Sequence, residues 1–238
     1  MCKGLFEATE PRHAVSINQQ GKGRKIQDTS KENCILCKTC EKRLEILETH
    51  FARIIEEIHA YKDLPKKFTI LKIGTQQYVE CNDIHPTLFK LFLYSLVWRA
   101  SISNLFEYLP FNLNRLDEER IRDFLNSNLS TSKTSLFKTL DNIDDIPLYH
   151  NCIIKPKEKS TTSRGIFSIS SMSDTAHILL LIDFAIFFYT DEISIGNVLE
   201  RFSNKQNEKV IVTLGETEPW LGLNQLYLSK MLNAKNGS

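Results

Sequence analysis

Neither sign of charge dominates this sequence, no apolar run is long enough to cross a bilayer, and the ordinary start of an exported chain is missing. Each lack excludes something. Lysine and arginine number 30 against 29 acidic residues, for a net charge of +1. Attraction of the whole protein to nucleic acid is therefore excluded, and any basic footprint must be local. The most apolar stretches run from Leu88 to Ile102 and from Ile178 to Tyr189. Lys90 and Arg99 interrupt the first and Asp183 the second, so they read as core and no membrane partner is expected. Met1 to Glu7 has no apolar segment followed by small residues, which argues against a secretory signal and for a cytoplasmic protein.

What is present is the composition of a globular protein, 42% hydrophobic and 25% charged. At 238 residues the chain can bury one sizeable core, or one core with a small appended module. Six cysteines occur, at 2, 34, 37, 40, 81 and 152. Without an export signal a disulfide framework is disfavoured. Three of them within seven residues point to metal or local redox chemistry.

The periodicity predicts an α+β fold. A strand over His13 to Ile17, the glycine turn Asn18 to Gly23 and a second strand near Cys34 to Leu36 suggest a hairpin. From Thr39 to about Tyr61, Leu44, Leu47, Phe51, Ile54, Ile55 and Ile58 recur at helical spacing on one face. Strands are expected around Gly74. A helix from Pro86 to about Ser103 is apolar nearly all round and belongs at the centre of the core, Trp98 included. A third helix spans Asp117 to Leu129, and Ser130 to Ser135 reads as a loop. Strands follow at 148–155, 165–171, 176–183, 185–190 and 210–214, with a closing helix over Leu223 to Leu232. The simplest architecture is a small hairpin, knuckle and helix module (residues 1–62) joined to a mixed helical and antiparallel β core (residues 63–238).

Cys37-Lys38-Thr39-Cys40 is a C-x-x-C at the start of the amphipathic helix. A chain entering a helix can aim two thiolates at one point, the geometry of a zinc knuckle. Cys34 adds a third thiol at the same spacing. A closed structural zinc site wants four ligands, and the nearby candidates are Cys2, His13 and His50. The alternative is that these cysteines are small core residues. A thioredoxin-like role needs a βαβ setting and ranks below both.

The segment Cys37-Lys38-Thr39-Cys40-Glu41-Lys42-Arg43-Leu44, continuing to Leu47-Glu48 and Phe51-Ala52, resembles small bacterial HNH-endonuclease-like proteins. The run from Phe89 through Trp98-Arg99-Ala100-Ser101 to Ser103 resembles a second, more distinctive motif of the same proteins. The likeness covers roughly residues 4–125. It departs from the family in lacking the earlier Cys-x-x-Cys and the Ser-His-Ile-Ile-Pro segment that supplies the first nuclease histidine.

The resemblance therefore implies a nuclease-related protein without nuclease activity of its own. Its role would be interaction or regulation in a bacterial defence or toxin-type system. Implied partners are a protein from the same operon, or DNA or RNA. Zinc is the implied structural ion, held by Cys37, Cys40 and Cys34. Magnesium or manganese belongs only to the alternative, an active HNH endonuclease that cuts DNA, whose histidine has no clear position here. A second alternative is a structural subunit of a larger complex.

Among other residues, His13, in the hairpin region, reads as a surface residue, and His50 as a helix-surface residue. His85 reads as a helix-start residue, and His150 and His177 as satisfied sheet residues. Arg99, embedded in an apolar helix, is expected to be ion-paired. Lys22, Arg24 and Lys25 on the glycine turn, and Lys155-Pro156-Lys157-Glu158-Lys159, are small basic clusters of the kind a solvated loop carries.

Overall fold

The computed structural model describes residues 14–17, 23–26, 36–103, 111–157, 166–191, 203–204, 209–216, 222 and 225. The fold is α+β. A hairpin of β1 (Ala14–Ile17) and β2 (Gly23–Ile26) precedes helix α1 (Lys38–His59). The glycine turn does make a hairpin, but its second strand is Gly23–Ile26. The segment expected to pair, Cys34 to Leu36, enters the described residues only at Leu36, which is a bend.

The main sheet has seven strands: β3 (Phe68–Ile73), β4 (Gln76–Cys81), β5 (His150–Pro156), β6 (Ile166–Ser171), β7 (Ala176–Ile182), β8 (Phe184–Tyr189) and β9 (Val210–Gly215). Their order is β3-β4-β9-β5-β8-β7-β6. Neighbours are antiparallel except β5 and β9, which run parallel, with Ile153 opposite Val212. The hairpin of β3 and β4 turns at Gly74, whose φ of 62° is open to glycine at no steric cost.

Helix α2 (Pro86–Ile102) lies at the centre, as its sequence predicts, with every residue from Thr87 to Val97 buried. Pro86 sits in its first turn, where a missing N–H costs nothing. Trp98 is the exception to the expected burial. It is only partly buried and packs against the edge of the core, beside the half-buried Arg99. Helix α1 packs its predicted face onto α2. Leu44, Leu47, Phe51, Ile54 and Ile58 are buried, and the Phe51 and Phe92 rings stack at 4.2 Å. One cluster of buried side chains joins α1, α2 and the sheet, and the expected boundary at residue 62 falls in the short turn after α1.

Helix α3 (Arg115–Asn128) begins at Asn114, whose side chain accepts from the Asp117 amide. The stretch read as a loop is instead the start of α4 (Lys133–Thr139). Ser132 caps it, accepting from the Ser135 amide, and Leu136 buries. The segment 158–165 and the expected closing helix at 223–232 are outside the described residues, apart from the single position 225. No helix among the described residues is long and apolar enough to cross a membrane.

Candidate functional site

Cys37 is the N-cap of α1, with extended backbone angles of φ −74° and ψ 157°, and Cys40 lies in the first turn. The change from extended to helical backbone brings the two sulfurs to 3.2 Å from each other. The Cys40 amide donates to Cys37 Sγ at 3.4 Å, satisfying one of the orphan N–H groups of the helix start.

That bond lowers the Cys37 pKa, with help from the Cys40 thiol, the Thr39 amide and the Arg43 guanidinium; slight desolvation opposes them. The Cys40 pKa moves up, chiefly through its hydrogen bond with the Cys37 thiol and also through desolvation. Cys37 is exposed and Cys40 half-buried, so neither is the small core residue of the alternative reading. Cys81 and Cys152 do behave that way. Burial pushes both thiols up to about 12.

Cys34, Cys2 and His13 lie outside the described residues. His50 does not join the pair. It sits ten residues after Cys40, about 15 Å along the helix. It is not the surface residue expected: its ring packs edge-on to Phe51 and Phe137, and burial lowers its pKa. Among the described residues no three His, Cys, Asp or Glu side chains are grouped so as to hold an ion.

The remaining histidines have structural surroundings. His85 occupies the N-cap position of α2, without a side-chain capping bond, and faces Asp141 at 2.9 Å. His150 meets Ser203 Oγ at 3.0 Å, and His177 meets Ser171 Oγ at 3.0 Å. His177 Nε2 is buried without a hydrogen-bond partner among the described residues, between the Phe111 and Phe188 rings. Arg99 is paired as expected, with Glu48 at 2.5 Å and with the Ser95 carbonyl at 3.1 Å. Arg24 and Lys25 are exposed on β2.

The opposite end of α1 carries a cleft that local patterns did not reveal. A cavity of about 310 Å³ is lined by His59, Tyr61, Lys62, Asp63, Lys155 and Lys157. Lys155 is 3% exposed. Its ammonium donates to the Pro156 carbonyl at 2.9 Å and stands 5.3 Å from the centre of the Tyr61 ring. The Lys62 ammonium stands 5.9 Å from the same ring. Lys157 pairs with Glu216, and His59 faces Asp183 at 3.9 Å. Desolvation lowers the Lys155 pKa; the Asp183 charge opposes the drop and the Lys62 charge adds to it. The sequence reads the lysine run around Pro156 as a solvated loop, whereas Lys155 is buried on β5. What it meets across the chain was not visible.

The chain matches no protein-family model, no curated protein and no solved structure.

Proposed function

We propose that Cys37 and Cys40 are two thiolate ligands of a structural zinc ion, with Cys34 as a third. On this reading the protein is an HNH-nuclease-related interaction or regulatory protein without nuclease activity of its own. The role in a bacterial defence or toxin-type system, and the protein or nucleic-acid partner, rest on the resemblance of the Cys37 to Leu44 and Phe89 to Ser103 segments.

The observation that carries the metal reading is the approach of the two sulfurs to each other at the helix start, where Cys37 Sγ accepts from the Cys40 amide. Zinc at ~2.3 Å from each sulfur in a tetrahedral site sets them ~3.8 Å apart. The observed 3.2 Å needs an opening of about 0.6 Å, within reach of small side-chain rotations. A disulfide, at about 2.05 Å, needs more than 1 Å of closure. The lowered Cys37 pKa favours the thiolate that a metal requires, and the raised Cys40 pKa opposes it.

The test has two arms. Purified protein is expected to carry zinc in a fixed ratio to chain, and Cys37→Ser or Cys40→Ser to lose it. Metal-free wild-type protein would sink the reading. Separately, supercoiled plasmid and single-stranded substrates with magnesium or manganese are expected to stay intact. Nicking that disappears in His13→Ala would establish the endonuclease reading instead.

A further inference from the structure

We propose that the cleft between the end of α1 and the end of β5 binds a small phosphomonoester, held chiefly by Lys155 and Lys62. Two ammonium groups are held against one aromatic ring, Tyr61, at 5.3 and 5.9 Å from its centre. Like charges so placed repel, and the Lys62 charge lowers the Lys155 pKa. The Tyr61 ring offsets part of the repulsion through its negative face. A bound dianion offsets far more, since each lysine is a point charge suited to a phosphate oxygen.

Asp63 lines the cleft, and Glu216 is paired with Lys157. Asp183 lies beside His59 and acts on Lys155 as a charge. Among the described residues no carboxylate lies within ion-pair distance of Lys62 or Lys155. The C-terminal end of α1 adds roughly half a negative charge, and Asp63 and Asp183 add carboxylate charge nearby, but none of these forms a direct ion pair with either ammonium among the described residues. Carbonyls of the turn are largely engaged: Glu56 and Glu57 accept from the Ala60 amide, Ala60 from Asp63, and Tyr61 from Leu64. The cleft is therefore governed by its side chains.

Burial and size narrow the ligand. Lys155 reaches the cleft from β5, a central strand, so its position is fixed by the sheet and by the Pro156 carbonyl. A rigid buried ammonium loses little freedom on binding. The cavity, about 310 Å³, lies at the lower end of the ~300–1,000 Å³ of small-molecule sites. That suits a phosphate on a short carbon skeleton.

The experiment is calorimetric titration of the intact chain with inorganic phosphate and with glycerol phosphate. Variants are Lys62→Gln, Lys155→Met and, as a distant control, Lys72→Gln on exposed β3. Saturable binding is expected, weakened about tenfold or more by each cleft variant and unchanged by Lys72→Gln. Because Lys155 is buried, its variant is checked by thermal melt; if it misfolds, the exposed Lys62 variant decides. No saturable binding to folded protein overturns the proposal. So does equal weakening by all three variants, which would mean diffuse charge. A short oligonucleotide that binds more tightly, with the same lysine dependence, overturns it in favour of a nucleic-acid surface.

Discussion

Helix α1 spans 22 residues, about 33 Å, and its two ends are built on opposite principles. At the N-terminal end, two sulfurs three residues apart meet through local geometry, and exposed amide groups favour a thiolate. At the C-terminal end, Lys155 comes from a strand more than 90 residues later, and the helix dipole favours cations. The first end presents two neighbouring sulfurs. The second offers hard cations to an anion. The middle of the helix, carrying Leu47, Phe51 and Ile54, is what fixes both to one core.

The severest way to break the comparison is to damage that middle. Phe51 is 2% exposed and stacks on Phe92. Phe51→Ala should cost about 3–5 kcal/mol, the range for a buried aromatic. The measurement is a urea titration, with zinc content and phosphate binding followed in parallel. If the ends depend on a common core, both should be lost together near the unfolding midpoint. Survival of either beyond it would make that end an independent unit.

A more selective way is to read the two thiols by alkylation of metal-free protein. Cys37 is exposed with a lowered pKa, whereas the Cys40 pKa is raised. Iodoacetamide near neutral pH should therefore modify Cys37 first, since the thiolate is the nucleophile. Mass spectrometry of peptides reads the order. Equal labelling, or Cys40 first, would contradict the N-cap geometry.

Acid limits the window in which the ends can be compared, and the limit comes from the sheet. Burial pushes the His177 pKa down to about 4, with Asp117 opposing the drop, against about 6.5 in an unfolded chain. The folded state binds that proton less readily, so His177 contributes its full stability above about pH 6.5. That contribution is lost as pH falls towards 4. His50 is shifted the same way by burial. Urea midpoints should fall between pH 7 and pH 4.5, and the fall should be smaller in His177→Gln. A midpoint independent of pH over that range would contradict the buried neutral imidazole. Metal loss at pH 5 must accordingly be separated from partial unfolding.

The same contrast explains what the sequence could show. The face of α1 and the all-round burial of α2 were legible because each depends on spacing within one element, as Leu44, Leu47, Phe51 and Phe92 demonstrate. The C-x-x-C pair was legible for the same reason. Helix α4 was missed because a short Ser/Thr-rich segment reads as loop until Ser132 is recognised as a cap. The parallel pairing of β5 with β9, and the meeting of Lys155 with Tyr61, are set by tertiary topology. No local pattern encodes which distant segment a strand will meet. Trp98 was placed too deep because an apolar run does not mark where its helix reaches the surface.

The smallest expected effect tests whether the two ends are independent. Glu48 lies midway along α1 and pairs with Arg99 of α2 at 2.5 Å. Their side chains are 37% and 28% exposed, so solvent screens the pair. Half-exposed pairs of this kind are worth ~1 kcal/mol or less. Glu48→Gln leaves Arg99 its bond to the Ser95 carbonyl, so the guanidinium is not stranded and the loss should stay under ~1 kcal/mol. Arg99→Ala should cost somewhat more, because the aliphatic stem of arginine also covers apolar surface. Neither change touches the amides that hold Cys37 or the lysines of the cleft. The order of alkylation and the phosphate affinity should therefore stay as in the parent. If Glu48→Gln shifts either by about tenfold, ~1.4 kcal/mol, the middle of α1 transmits between its ends, and the two sites belong to one coupled device.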